Sequence, residues 1–424
     1  MKDLLFKKVS LRQKEYASRF FDVCCRDGKI LSIDEHSPER KLPEACVIEG
    51  DGRLLTSAFY NTHSHSAMTL FRGMGEDLPL KKWLNTCILP AERGLTSHAV
   101  YTASMVAIAE MLRAGICSFS DMYFFMPDIA RAVHESGIKA NLSRSVATKD
   151  KDDPQIDEAI TFCREYCKRA DSRIRTDIAI HAEYSTSDLV VRRLTDAAAE
   201  LGVGIQLHLS ETEEEHLACI ERRKMTPTAY FEHMGAFRVP VTAAHGVYLT
   251  DDDRAILASH NATVSHNPIS NLKLGSGVMP LLKTLQSGVR VAMGTDGAAS
   301  NNRLDILREM QTALLLQKGL SRKPEILSSS AMWALGTENG ALAQGRSNAG
   351  KVCAGCCADL LLWDLYPSAV SFDNTLMYTA TVDQIVMTVV DGQILYENRT
   401  FRTIDTERLF FDFRKLCEDF SSRR

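Results

Sequence analysis

The 424-residue chain sets 50 lysines and arginines against 54 aspartates and glutamates, a formal charge of −4, and is 45% hydrophobic. That is the balance of a globular chain with material for a large core. It gives no electrostatic reason for a nucleic-acid or anionic-membrane partner, and no uncharged run approaches the ~18 residues of a transmembrane helix. Residues 1–8 carry charges with no apolar stretch behind them, so no signal peptide is read there. The 12 cysteines are too sparse for a disulfide scaffold. Cys117, Cys163 and Cys219 sit in apolar contexts, so reduced thiols and a cytoplasmic setting are expected. Cys353-Ala354-Gly355-Cys356 lacks a partner pair at zinc-ribbon spacing and a thioredoxin-like surround, and is assigned no function.

Residues 1 to about 53 read as short β segments. Residues 20–25 and 29–33 flank Arg26-Asp27-Gly28, a hairpin signal. Gly50-Asp51-Gly52 then leads to the apolar run Leu54-Leu55-Thr56-Ser57-Ala58-Phe59-Tyr60, read as a strand that ends in Asn61-Thr62-His63-Ser64-His65. Two histidines one residue apart on a strand share a face, because side chains alternate. The middle of the chain alternates between helix and strand. A helix over 99–113 stops at Ala114-Gly115, and a strand follows over 116–122. The next helix covers 127–136 and ends at Gly137, before a strand over 139–144. Beyond the polar loop at 150–154 come a strand over 176–181 and a helix over 187–201. Strands at 204–209, 240–245, 262–266 and 289–296 follow, separated by helix-like segments. The chain then returns to β character at 358–364, 384–390 and 393–396, and residues 421–424 read as a frayed tail.

Counting the His-x-His strand, eight strands alternate with helices over roughly 250 residues, the size of a (β/α)8 TIM-like barrel. An open doubly wound sheet would carry a Gly-rich phosphate loop after its first strand, and this chain has none. The two β-rich ends predict one small β-sandwich domain from residues 1–55 and 350–424, around a barrel of residues 56–349. Barrel chemistry collects at the C-terminal strand ends. There the sequence places His63, His65, His181, His208, His245, His266 and Asp296. His266, in His266-Asn267-Pro268, reads on its own as a strand cap. Three imidazoles and one carboxylate with room for a water describe a catalytic zinc-type site, and Fe2+ or Mn2+ would also suit the ligands. Glu211 lies three residues past His208, where a carboxylate could act as general acid and base on water acidified by such an ion. Glu213, Glu214 and Glu215 read as surface acids that complement a helix N-terminus.

The longer motifs are Asn61-Thr62-His63-Ser64-His65-Ser66-Ala67-Met68-Thr69-Leu70-Phe71-Arg72-Gly73, His208-Leu209-Ser210-Glu211-Thr212, and Ala244-His245-Gly246-Val247. To these add Ser265-His266-Asn267-Pro268-Ile269-Ser270-Asn271-Leu272-Lys273 and Gly294-Thr295-Asp296-Gly297-Ala298-Ala299-Ser300-Asn301-Asn302. Together they resemble the amidohydrolase superfamily over essentially the whole chain, and within it the 5'-methylthioadenosine/S-adenosylhomocysteine deaminases. The resemblance implies that His63, His65, His208 and Asp296 hold a divalent metal. It implies that Glu211 carries a proton from the attacking water to a ring nitrogen while His245 hydrogen-bonds that water. His181 falls at a substrate-binding histidine, Glu92 at the acid that grips the ribose hydroxyls, and Arg144 at an arginine near the 5' substituent. His208 and Glu211 also face the substrate in such a site. Two-metal barrels of this kind bridge their ions with a carboxylated lysine at the end of strand four. Here that end reads Ile180-His181-Ala182-Glu183, so one ion is expected.

The loop after strand three offers Lys149 and Lys151 where some relatives offer a second arginine. A lysine meets a carboxylate only as a point charge, which leaves neutral 5' groups as open as a homocysteine tail. The expected activity is hydrolytic deamination of adenosine, 5'-deoxyadenosine, 5'-methylthioadenosine or S-adenosylhomocysteine, by a homo-oligomer whose partner is the nucleoside itself. Deamination of guanine or a pterin, or hydrolysis of a triazine, is the rival on the same site; Glu92 favours a ribose, because a free base has no diol. A non-catalytic interaction protein on this barrel would have lost a ligand or the proton shuttle, and this chain retains all of them.

Overall fold

The computed structural model describes residues 2–12, 19–169, 173–365 and 371–422. Eight parallel strands occupy the middle of the chain: β1 (Phe59–Ser64), β2 (Ile116–Tyr123), β3 (Lys139–Val146), β4 (Ile174–Ile180), β5 (Gly204–Leu209), β6 (Val241–His245), β7 (Thr263–His266) and β8 (Arg290–Met293). Each pairs with its sequence neighbour, in order from β1 to β8. Side chains close the ring between β8 and β1. Asn61 Nδ2 donates to Thr295 Oγ1 at 2.7 Å, and the Thr295 amide donates back to Asn61 Oδ1 at 3.0 Å. Thr62 Oγ1 adds a bond to the Met293 carbonyl at 2.9 Å. The (β/α)8 barrel expected from the alternation is present.

The apolar run 54–60 is not one strand. Leu54–Ser57 pairs with Leu360–Trp363 in a second sheet, and the barrel strand starts at Phe59. The backbone changes partner at the junction, with the Ala58 amide on the Asp359 carbonyl and the Phe59 amide on the Gly115 carbonyl. Gly115 is at φ +78, and a Cβ there would meet Ile385 and Leu361 side chains at 2.8 Å. Glycine is required at this point, both for the left-handed turn and for the close approach of the two sheets.

The second sheet is mixed and nine-stranded, drawn from both ends of the chain. Its N-terminal part contains the predicted hairpin, Phe21–Arg26 against Lys29–Glu35. Its two parts fold over one apolar core in which Phe6, Val9, Phe21 and Val23 meet Leu55, Leu360, Leu362 and Met387. The alternate residues Leu54, Leu361, Trp363 and Ile385 join the large cluster of the barrel. One strand therefore feeds two cores, as a period of two requires.

A buried ionic cluster also spans the junction. The Lys139 ammonium, at the start of β3, lies 2.8 Å from both Asp359 oxygens and 2.5 Å from Asp391. Asp359 also accepts from the Tyr60 hydroxyl of β1 and from the Asp391 amide. Lys139 and Asp359 side chains are 2% and 0% exposed, so each charge depends on its partners for solvation. The last helix, Thr406–Ser422, lies on the barrel, with Phe420 5.5 Å from Phe71, ring to ring. Ser421 and Ser422, expected to fray, finish that helix, and Arg423 and Arg424 lie outside the described residues.

The cysteines depart from expectation at one place. Cys353 and Cys356 are joined by a disulfide, their Cα atoms 5.5 Å apart, in a turn that brings the two side chains together. Ten other cysteines are free. Among the described residues no helix is long and apolar enough to cross a membrane.

Candidate metal centre and active site

The C-terminal ends of the barrel strands bring most of the predicted residues into one cluster. His63 and His65 share a face of β1, their ring centroids 4.8 Å apart. His208, next to last in β5, brings its ring to 4.9 Å from His63 and 5.5 Å from His65. Donor atoms of His63, His65 and His208 lie within 4.8 Å of one another, as do those of His63, His245 and Asp296. Asp296 Oδ1 is 3.2 Å from His65 Nε2 and 3.5 Å from His63 Nε2.

Hydrogen bonds set the tautomers. A carbonyl oxygen only accepts, so His65 Nδ1 donates to Met122 at 2.6 Å, and His208 Nδ1 donates to His181 at 2.8 Å. In their neutral forms both rings present the Nε2 lone pair inward, the form that ligates metal. His63 Nε2 is buried and makes no hydrogen bond. Three imidazole nitrogens and a carboxylate, one of them an orphan in the interior, fit a divalent metal ion.

Burial drives the His63 imidazole down to about 4 and holds His208 well below its usual range. Burial also opposes charge on His65, but the Asp296 carboxylate outweighs it and raises that ring to about 9. The same carboxylate would favour a metal cation in that place.

Asp296 does not close β8; it stands three residues past Met293, at φ +62. That left-handed turn aims the carboxylate inward, where hydrogen bonds fix its orientation and leave Oδ1 a lone pair towards His63 and His65. Oδ1 accepts the Gly297 amide at 2.8 Å, and Oδ2 accepts Ser270 and Ser300 hydroxyls at 2.6 and 2.9 Å.

Glu211 and His245 face each other beside this group. Glu211 Oε2 lies 3.6 Å from His245 Nε2, and Ser276 Oγ donates to Oε1 at 3.3 Å. Burial raises the Glu211 carboxyl above the usual range, which favours the protonated form that a proton carrier must be able to adopt. Asn271 Oδ1 accepts from His245 Nδ1 at 2.8 Å, which turns the Nε2 lone pair towards Glu211. His181 bonds Ser185 Oγ through Nδ1 at 3.0 Å, its ring 4.8 Å from His208. Burial lowers it to about 4, leaving a neutral ring.

The remaining predicted residues differ in their surroundings. The Glu92 carboxyl, raised by burial, shares its surroundings with the Tyr123 hydroxyl and His65. Glu92 Oε1 and the Tyr123 hydroxyl are both buried without a hydrogen-bond partner. Arg144 is occupied: its Nε and Nη2 both meet Glu158 Oε2 at 3.0 Å, and its guanidinium stands 5.1 Å from the Phe124 ring centroid. Lys149 and Lys151 are exposed in the loop after β3.

The His266 side chain does not cap β7. Both ring nitrogens are buried without partners, burial pushes the ring down to about 3, and the backbone carbonyl is what receives Gly294. Glu215 is likewise not a surface acid: its carboxylate accepts the Ser210 and Glu211 amides at 3.2 and 2.8 Å. The sequence reading also missed Asp121, which accepts the Ser66 amide and hydroxyl at 2.7 and 2.6 Å and the Ser64 hydroxyl at 3.1 Å, and so braces the chain on either side of His65. A readable signal was a carboxylate inside the apolar strand 116–122, where an acid must have partners.

A third group of possible ligands, Cys357, Asp359 and Asp391, is the cluster already filled by the Lys139 ammonium.

The amidohydrolase family pattern matches residues 54–395. The chain belongs to the amidohydrolase family. It is 39% identical over 375 residues to a Dictyoglomus thermophilum protein named 5-methylthioadenosine/S-adenosylhomocysteine deaminase, covering 87% of this chain and 88% of that one. A Methanosarcina mazei protein named 5'-deoxyadenosine deaminase is 38% identical over 408 residues, covering 95% and 94%. Among solved structures, a zinc-bound adenosine deaminase from Xanthomonas campestris superposes with a TM-score of 0.91 at 28% identity, covering 99% of each chain. Membership of the family accounts for the barrel, the second sheet and a divalent metal at the histidine–aspartate cluster.

Proposed function

We propose that this family member is a hydrolytic deaminase of adenine nucleosides, with one divalent ion, zinc, held by His63, His65, His208 and Asp296. The observation that carries the reading is the Glu211–His245 pair, 3.6 Å apart, set directly beside three convergent imidazoles and a carboxylate. A zinc ion held there supplies Lewis acidity and lowers the pKa of a water. Glu211 takes the proton from the attacking water and delivers it to the ring nitrogen next to the reacting carbon. His245 hydrogen-bonds the incoming oxygen through Nε2, and neutral His181 contacts the substrate from the adjacent strand end. Ammonia departs and the inosine analogue remains.

Glu92 binds the ribose hydroxyls, for which an unpaired buried carboxylate oxygen is an apt acceptor. Arg144 meets the 5' substituent by exchanging its contact with Glu158. The relatives named for 5'-methylthioadenosine, S-adenosylhomocysteine and 5'-deoxyadenosine support an adenine nucleoside over a free base. Ten free cysteines favour the cytoplasm.

Ammonia release from the zinc-loaded protein, measured on adenosine, 5'-deoxyadenosine, 5'-methylthioadenosine, S-adenosylhomocysteine, guanine and a pterin, tests the reading. Turnover of nucleosides is expected. Turnover of guanine or the pterin with none on any nucleoside would sink it.

A further inference from the structure

Glu215 lies in a run of three acids, Glu213, Glu214 and Glu215, of which the first two are exposed and the third is buried. The helix Glu213–Arg223 begins there, capped by Thr212, whose Oγ1 accepts the Glu215 amide at 3.1 Å. Side chains in a first helical turn point back towards the chain entering the helix. The Glu215 carboxylate therefore meets the segment between β5 and its own helix, and it takes the Ser210 and Glu211 amides on its two oxygens.

That segment and the end of β6 each carry a residue with an unfavourable backbone. Ser210 is at φ +46 and His245 at φ +75, left-handed conformations that non-glycine residues hold only when their surroundings over-determine them. The two are tied together. The Ser210 carbonyl accepts the Val247 and Tyr248 amides, each at 3.1 Å, and the Leu209 carbonyl accepts Gly246 at 2.9 Å. Donors on one side of the Ser210 residue thus go to Glu215, while its acceptor goes to the turn that follows His245. A shift of this residue would move Glu211 and His245 relative to each other.

We propose that Glu215 is a positioning residue that, through the Ser210 and Glu211 amides, sets the spacing of the Glu211–His245 pair. The inference rests on the deaminase reading above and adds to it a determinant of turnover outside the substrate's reach. The role needs two acceptors. A glutamine has one oxygen and one NH2, so one of the two backbone N–H groups would face another donor.

The test is Glu215→Gln in the zinc-loaded, full-length protein, with Glu213→Gln as the surface control. The expected result is a fall in kcat of roughly 10- to 100-fold, the scale seen when supporting contacts of an active site are removed. KM and bound zinc should stay near the wild-type values, and the control should keep wild-type kcat. Adding Ser210→Gly, which adopts φ > 0 without strain but gives up the Ser210 Oγ contact with His216 Nδ1 at 3.1 Å, should recover part of the lost kcat, and equal urea midpoints for wild type and Glu215→Gln should separate that loss from one of global stability. An unchanged kcat in Glu215→Gln overturns the inference, and so does a loss that merely tracks lost zinc. If Glu215→Gln does not fold, Glu215→Asp, whose shorter arm cannot span both amides, is measured against the same criteria. No turnover by the wild type overturns the deaminase reading and this inference with it. Wild-type turnover with an unaffected variant overturns this inference alone.

Discussion

Lys139→Met tests how the barrel and the second sheet are joined. The substitution keeps an unbranched side chain one atom shorter and removes the charge. Asp359 would retain the Tyr60 hydroxyl and the Asp391 amide but lose the ammonium 2.8 Å from both its oxygens. A carboxylate stranded at 0% exposure costs about 3–5 kcal/mol when its partner is removed. Asp359→Asn strands the ammonium in the same way, apart from its contact with Asp391, and should cost a similar amount. In the double variant neither charge is left facing an uncharged partner, so its cost should fall short of the sum by about 1–3 kcal/mol. Trp333 and Trp363 lie 6.4 Å apart at this junction, so urea unfolding followed by tryptophan fluorescence reads the affected region. Costs that add to within about 0.5 kcal/mol would show the groups to be uncoupled, and the junction would then rest on its apolar packing alone.

Two further outcomes follow from the site, and a third from Glu309, buried against the Ile269 amide and the Asn301 side chain. Glu211→Gln should bind zinc as the wild type does and lose most of kcat, since a general acid–base contributes about 10²–10⁴-fold; near-normal turnover would remove Glu211 from the proton transfer. His65→Ala should lower zinc content measured by metal analysis at equal protein, and full occupancy would take His65 out of the ligand set. Burial raises the Glu309 carboxyl to about 8, so the folded chain keeps a proton that the unfolded chain releases above the ordinary carboxylate range. Stability should therefore fall as pH rises from about 4.5 to about 8 through this group. Glu309→Gln should flatten that part of the stability–pH profile, and an unchanged slope would contradict the assignment.

The barrel was legible because its signals are periodic and local: apolar runs of strand length, glycines ending helices, and histidines at the ends of runs. The histidine and Glu211 positions were legible for the same reason. Four features were not, because each depends on three-dimensional geometry, near or far in sequence, that residue pattern does not carry. The break at Ala58 depends on Asp359 and Gly115 claiming successive amides. The acid run at 213–215 looks uniform, and only the fold of residues 209–211 separates Glu215 from its neighbours. His266 ends an apolar run as the others do, yet its ring nitrogens meet no partner. The pairing of Cys353 with Cys356 depends on a local turn that the spacing alone did not reveal.

The cluster at His63 and His65 is most directly tested by turnover of 5'-methylthioadenosine by zinc-loaded protein in heavy-oxygen water, with ammonia and the nucleoside product measured together. One ammonia released for each inosine analogue formed, with the heavy oxygen at the carbon that lost nitrogen, is the predicted result. No conversion of this or any other adenine nucleoside, with ammonia released from guanine or a pterin, would contradict the account.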